Sequence, residues 1–402
     1  MALLSVAEAL DQVLAHAAPL ASEKVALAEA YGRVLAHDLK ALRTQPPADV
    51  SAMDGYAVRA ADVAKAPVRL KIIGEVAAGR PFSATLGPGE AARIFTGGFV
   101  PDGADTVVIQ EQTARDGDSV EVQKPSSKGR NVRQQGLDFR AEQVLLAAGQ
   151  RLKARDLQLA AGMNYPQLPV HRQPKVALFA TGDELVPPGT EPGHGQIVYS
   201  NGFALAALAR EEGATVVDLG VVGDTLEPTI AAVRRAREAG ADILVTTGGA
   251  SVGEYDLVQK AFAAEGMALS FWKIAMRPGR PLMHGRLGAM HVLGLPGNPV
   301  SSYVCAFLFL VPLIRRMTGR GDAAIMTESA VLGCDLPAND ERADYLRATL
   351  ENGSGGAVAT PFPVQDSSMM VPLAKANCLL IREPYAPPAA AGSPCRIVKF
   401  ER

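Results

Sequence analysis

The stretch Ile243-Leu244-Val245-Thr246-Thr247-Gly248-Gly249-Ala250-Ser251-Val252-Gly253 decides the fold. Its first five residues are apolar or β-branched and read as a short strand buried on both faces. The glycines that follow mark a tight turn, and helical spacing resumes over 255–264. A strand that passes through a glycine turn into a helix is one half of a βαβ unit. Outward from this point the alternation repeats. Strand-like runs occupy 176–180, 215–219 and 291–295; helix-like stretches occupy 202–212 and 228–238, and a last helix follows Pro299. Short apolar strands alternating with helices predict a parallel sheet covered on both faces. Residues 171–320 are therefore expected to form one doubly wound α/β domain.

The flanks differ in texture. Residues 46–138 are rich in Gly, Pro and short β-branched runs and are expected to form a small, mainly-β inserted domain. Residues 1–45 and 139–170 have helical character and are expected to pack together as a connecting domain built from two chain segments. Beyond residue 320 helical periodicity fades into short strands, so 321–402 is expected to be a C-terminal β-barrel. The fold class is thus multidomain α/β.

Composition narrows the function. The chain has 402 residues, with 40 Lys plus Arg against 42 Asp plus Glu, a net charge of −2. No broad basic field exists to drive binding to nucleic acid or to a membrane surface, so an anionic ligand needs a local site. Cys305, Cys334, Cys378 and Cys395 lack CxxC spacing, which argues against a thiolate zinc site and fits a reducing cytoplasm. The six histidines form no HxxxH pattern and are expected to be surface or locally hydrogen-bonded groups. Residues 1–17 carry Glu8 and Asp11 and read as an amphipathic helix, not a signal peptide. The strongest apolar run, 303–314, is expected to be a buried core helix.

Several segments carry chemistry. The turn at Thr247, Gly248, Gly249 and Ser251 can form a nest of backbone N–H groups for a phosphate, or serve as a plain connection. In Leu295-Pro296-Gly297-Asn298-Pro299-Val300-Ser301-Ser302, Asn298 reads as a helix cap and Pro299 as the first helical residue. Ser301 and Ser302 would then sit at the sheet's carboxyl edge, where open α/β sheets bind ligands. Asp183, Glu184, Asp224, Glu254 and Asp256 recur where strands or loops end. Each is explained by helix capping; gathered beside a phosphate they suit Mg²⁺. Lys273, Arg277 and Arg280 surround a Pro- and Gly-fixed turn, a donor set that a tetrahedral oxyanion requires.

Together these segments resemble the MoeA/gephyrin-type molybdopterin molybdenumtransferases. The resemblance rests on SAMDGYA at 51–57, TGG with PDGAD at 96–105, GRNVRQQGLD at 129–138 and TGDEL at 181–185. It continues through SN at 200–201, GVVGD at 220–224, TTGGASVGEYD at 246–256, KIAMRPGRP at 273–281 and LPGNPVSS at 295–302. It implies a MogA-like α/β domain and an enzyme that inserts molybdate into adenylylated molybdopterin with Mg²⁺ present, releasing AMP. It also implies a homodimer whose cleft lies between the α/β domain of one subunit and the SAMDGYA domain of the other. Contacts with a pterin adenylyltransferase and with apo-molybdoenzymes follow from the same likeness.

Carried over by motif, Asp54, Thr96, Asp138, Glu184, Asp224 and Asp256 line that cleft. Thr247, Gly248, Gly249 and Ser251 hold the phosphates, and Asp224 and Asp256 position Mg²⁺. Lys273, Arg277 and Ser301 hold molybdate, while Pro296 and Pro299 shape the turn. Three other readings remain open here. A pterin adenylyltransferase usually shows TGGTG after the strand. A CinA-like pyrophosphatase lacks the SAMDGYA segment. A non-catalytic scaffold would not need the acids.

Overall fold

The computed structural model describes residues 3–77, 79–80, 82–248, 255–353 and 356–400, without the side chains of Tyr255 and Asp256. The chain begins with α1 (Val6–Leu14), started by a capping box in which Ser5 and Glu8 satisfy each other's backbone N–H. Its buried face, Ala9 and Val13, packs on the α/β core, and Ala275 N–H donates to the Leu4 carbonyl. The helix expected near the N-terminus is thus present, but its apolar face belongs to the α/β unit. The remainder of 1–45 does meet 139–170: Ser22–Ala26 pairs with Gln167–His171, and Leu39–Lys40 with Val144–Leu146. One helix of nine residues, α2 (Ala154–Gly162), completes that small core around Leu35, Leu152, Met163 and Leu168.

The inserted segment folds as a six-stranded sheet: β1 (Gly55–Val58), β2 (Val68–Val76), β3 (Glu90–Ile94), β4 (Thr106–Ile109), β5 (Thr113–Asp116) and β6 (Ser119–Val122). Strand order is β4-β1-β3-β2-β6-β5. β1 is buried along its whole length because Tyr56 and Val58 face one apolar cluster while Ala57 faces another. Gly55 is required at its start, since a Cβ there would lie 2.0 Å from the Val108 carbonyl oxygen.

The central sheet comprises β7 (Lys175–Thr181), β8 (Thr215–Val222), β9 (Ile243–Thr247), β10 (Ala268–Phe271), β12 (Met283–Leu287) and β13 (Met290–Leu295), in the order β8-β7-β9-β13-β12-β10. β11 (Met276–Arg277) leaves it to pair with the C-terminal sheet. The helices are α3 (Asn201–Glu211), α4 (Leu226–Glu238), α5 (Tyr255–Ala264) and α6 (Pro299–Met317). β8, β7, β9 and β13 are parallel, as expected. The far edge departs from expectation: β12 and β13 form an antiparallel hairpin through Gly288, whose φ of +64° suits glycine.

α6 runs 19 residues, longer than the apolar run suggested, with a π-helical turn at Ala306–Leu310. It is long and apolar enough to cross a membrane, yet 89% of its apolar window is buried inside the protein. Two of the histidines take the hydrogen-bonded form of the expectation, in the core and not at the surface. His284 and His291 on the hairpin are 1% and 2% exposed and face each other, Nε2 to Nδ1, at 3.4 Å.

The C-terminal segment contains β14 (Glu328–Leu332), β15 (Ala343–Gly353), β16 (Gly356–Pro361), α7 (Met370–Lys375), β17 (Cys378–Arg382) and β18 (Pro394–Lys399). The order β15-β16-β14-β18-β17 closes through a β15–β17 pairing, giving a five-stranded barrel with β11 added on β15. The barrel has its own interior around Leu332, Leu380 and Ile397. Tyr345, Leu379 and Val398 also join the core formed by α1, α6 and one face of the central sheet. Each large aliphatic side chain buried there contributes roughly 1.5–3 kcal/mol, so the barrel is fixed against the α/β unit by a shared core.

Candidate active site

Parallel register fixes what meets at the sheet's carboxyl edge. Ala180 pairs with Thr247 and Thr247 with Leu295, so Thr181, Gly248 and Pro296 emerge side by side. The chain passes from β7 to β8 on one side and on to β9 on the other. That reversal is the crevice where ligands bind in open α/β sheets. Gly248 has φ +95°, and a Cβ on it would lie 2.2 Å from the Thr181 carbonyl oxygen. A Cβ on Gly297 would come within 3.4 Å of the Gly248 Cα. Backbone therefore lines the crevice where any larger residue would fill it.

A cavity of about 630 Å³ opens over this edge. Of the residues singled out from sequence, it brings together Glu184, Thr247, Gly248, Pro296, Pro299 and Ser301. Asn298 caps α6 and Pro299 opens it, as expected, but the Asn298 side chain donates to Ser367 Oγ at 2.8 Å. Val300 N–H donates to the Ser367 carbonyl, so the barrel loop 366–370 closes one wall. Asn201 Nδ2 donates to the Gly297 carbonyl at 2.7 Å and holds the 296–299 turn to α3. Thr181 is 3% exposed and lines the cavity, and among the described residues its hydroxyl has no partner.

Of the acids, Glu184 lines the cavity, and Asp183 and Asp224 meet each other at the ends of β7 and β8. Asp183 N–H donates to Asp224 Oδ2 at 3.1 Å, and Asp224 N–H to Asp183 Oδ1 at 3.2 Å. This exchange ties the β7 and β8 ends together. Gly249 and Ser251 lie outside the described residues, as does the side chain of Asp256.

The cations are sorted differently from the sequence expectation. Arg277 does not join the cavity: its Nε donates to Asp344 at 2.8 Å, and its Nη1 pairs with Asp340 at 3.2 Å. Both acids come from the barrel side, and the Asp344 carboxylate raises the Arg277 pKa. Lys273 lies over the Trp272 ring, 4.3 Å from its centroid, away from the cavity wall. Arg280 takes that place; it lines the cavity, and among the described residues no carboxylate pairs with it. Sequence reasoning also passed over Arg347. It is 1% exposed; its Nη1 donates to the Asp366 and Met369 carbonyls, and among the described residues its Nη2 has no partner. Its one signal was an arginine inside the strand-like run at 345–350.

Asp54 and Thr96 meet in the inserted sheet, and Asp138 stands apart from them. Asp54 accepts from Thr96 N–H at 2.7 Å and from Thr96 Oγ at 2.8 Å. These two donors hold the Asp54 carboxyl below the ordinary carboxylate range. Asp138 lines a separate cavity of about 480 Å³ with Arg43, Arg133 and Gly97. Among the described residues, no hydrogen bond or ion pair links these three to the α/β cavity.

With the geometry in place, the whole chain can be matched to known proteins. Residues 4–163 match the MoeA N-terminal region (domain I and II), 177–316 a probable molybdopterin binding domain, and 329–400 the MoeA C-terminal region (domain IV). The chain belongs to the MoeA family of molybdopterin molybdenumtransferases. It is 37% identical to molybdopterin molybdenumtransferase 2 of Mycobacterium tuberculosis, covering 89% of both chains. It is 41% identical over 305 residues to a Nostoc molybdopterin molybdenumtransferase, covering 74% of this chain and 70% of the relative. A molybdopterin biosynthesis MoeA protein from Pyrococcus horikosii superimposes on it with a TM-score of 0.87 at 31% identity, over 100% of both chains.

Proposed function

We propose that this protein inserts molybdate into adenylylated molybdopterin, releasing AMP and completing the molybdenum cofactor. The observation that carries the reading is the glycine-walled crevice with Arg280, Ser301 and uncommitted backbone at the sheet's switch point. Such a site suits phosphates against the Thr247–Gly248 backbone and an oxyanion near Arg280 and Ser301. Molybdate is itself the incoming group, so catalysis rests on orientation and on preorganised charge. Asp54, Asp138 and Glu184 are the acids that position the substrate or handle protons in this reading.

Mg²⁺ fits the donor set at the rim. Glu184 lines the crevice and offers hard carboxylate oxygens, and Asp224 stands at the neighbouring end of β8; Mg²⁺ takes one or two carboxylates with the rest from phosphate and water. Among the described residues no three-acid cage occurs, which that mode does not require. Bound there by Asp224 and Asp256, the ion would neutralise charge on the phosphates.

The functional unit in this reading is a homodimer in which Asp54, Thr96 and Asp138 of one subunit face the crevice of the other. A pterin adenylyltransferase supplies the substrate, and apo-molybdoenzymes receive the product in the cytoplasm, where four free cysteines are at home. The test is AMP release from adenylylated molybdopterin with Mg²⁺, with and without molybdate, followed by reconstitution of an apo-molybdoenzyme. Molybdate-dependent release is expected, and Arg280→Ala should lower it about tenfold or more by removing one charged donor. Release that ignores molybdate would point to a pyrophosphatase instead.

A further inference from the structure

The barrel grips the turn that carries Arg280. β11 lies in parallel register on β15, Met276 against Ala343 and Arg277 against Asp344. The Arg277 side chain reinforces that pairing. Its Nε donates to Asp344 Oδ1 at 2.8 Å and its Nη2 to Oδ2, the two-pronged fit of a guanidinium to a carboxylate. Nη1 donates to Asp340 at 3.2 Å, and Nη2 also to Asn339 Oδ1 at 3.3 Å. Asn339 is itself fixed, because its Nδ2 donates to the Arg342, Arg382 and Glu383 carbonyls. Asp344 is 5% exposed, and among the described residues Arg277 supplies the donors to its carboxylate. A buried carboxylate needs such a partner, so each of the two fixes the other.

Past Arg277 the chain has little freedom. Pro278 and Pro281 restrict φ on either side of the turn. The Gly279 carbonyl accepts from the Cys305 thiol of α6 at 3.6 Å, and a Cβ on Gly279 would lie 2.6 Å from that sulfur. Arg280 stands between these anchors and lines the cavity. Holding the barrel in place is not what the ion pair is needed for. Tyr345, Leu379 and Val398 already bury the barrel against the α/β core. The Arg277 side chain is 47% exposed, and ion pairs open to water contribute little to stability.

We propose that Asp344 is a positioning residue for the oxyanion: through Arg277 it fixes the turn from which Arg280 meets molybdate. The inference rests on the functional reading above, and it gives the barrel a part in the reaction. One guanidinium holds a tetrahedral anion well only when it is preorganised. With Asp344 neutral, Arg277 gains nothing by staying on β15, and the β11 end loosens with Arg280 three residues on. The backbone at Thr247 and Gly248 hangs on β7 and β9, so the phosphate end of the crevice is left as it was.

The test follows AMP release from adenylylated molybdopterin by the full chain as molybdate is varied. Wild type is compared with Asp344→Asn, Arg277→Gln and the double variant, with AMP affinity by calorimetry and melting temperature measured beside the rates. Asp344→Asn keeps the shape and removes the charge. It should raise the KM for molybdate about tenfold with kcat kept, the mark of a misplaced binding group. AMP affinity and melting temperature should stay near wild type. Arg277→Gln should match it, and the double variant should be no worse than either single, because both changes break one linkage. A wild-type KM in Asp344→Asn overturns the proposal. So does a KM that falls, since Asp344 would then be holding back a cation that binds molybdate itself. Losses that multiply in the double variant overturn it too, and so does AMP affinity lost together with a fall in melting temperature. All four leave the functional reading standing. Wild type whose AMP release ignores molybdate overturns that reading and this inference together.

Discussion

Asp54 owes its acidity to one neighbour. Thr96 offers it an N–H and an O–H, and both stabilise the carboxylate over the acid, with Arg93 adding a smaller charge effect. A lowered pKa keeps Asp54 ionised as pH falls through the ordinary carboxylate range, so activity that needs the anion persists to lower pH. Thr96→Val removes the O–H donor and keeps the shape and the N–H. The Asp54 pKa then rises, and the acid limb of the pH–rate profile is expected to move to higher pH with little change near neutrality. A limb that stays in place would remove Asp54 ionisation from the rate. None of this was legible from spacing: the two residues stand 42 apart and meet only because β1 pairs with β3, Gly55 against Ile94. The arginines make the same point. Arg277 and Arg280 sit three residues apart on one turn, yet Asp344, 67 residues further on, claims the first and leaves the second facing the cavity.

The turn after β9 works only as glycine. Gly248→Ala places a β-carbon against the Thr181 carbonyl in a left-handed backbone, a strain of about 1–3 kcal/mol before the clash is counted. Relief means moving the β7 end, so phosphate binding should fail, and AMP titration by calorimetry should show no heat; wild-type affinity would mean that the turn does not hold the phosphates. This element was readable because a run of β-branched and apolar residues ending in glycines has few other foldings. The hairpin β12–β13 was not, since a continuous apolar run does not reveal strand direction. Its two histidines carry a consequence. Burial first, then the charges of His291, Arg286 and His16, push His284 down to about 3, and burial with Arg286 and His16 pushes His291 to about 4. The unfolded chain therefore binds more protons below pH 6.5, and stability is present above that pH and lost as pH falls toward 4. Between pH 6.5 and 5 the loss is roughly 2 kcal/mol per histidine. Urea unfolding at the two pH values should show it, and His291→Leu should flatten the slope. An unchanged slope would place the titration elsewhere.

At the scale of the whole molecule, the acids selected from the sequence fall on two surfaces of one chain. Glu184 lines the crevice of the central sheet and Asp224 ends β8 beside Asp183, while Asp54 sits on the inserted sheet and Asp138 in a separate cavity. The motif order on the chain carried the likeness to the family, but not this separation, because linear order says nothing of which surface a loop reaches. If the working site is built from two subunits, complementation follows. Asp54→Ala and Asp224→Ala chains are each expected to be inactive alone. Unfolded and refolded together in equal amounts, they pair at random, and about half of the dimers hold one of each. In such a dimer one site collects both lesions, and the other collects an intact Asp54 from one chain and an intact Asp224 from its partner. Half of the dimers with one of two sites working gives about a quarter of wild-type AMP release. A mixture that stays as dead as its components would mean that Asp54 and Asp224 serve the same site from the same chain.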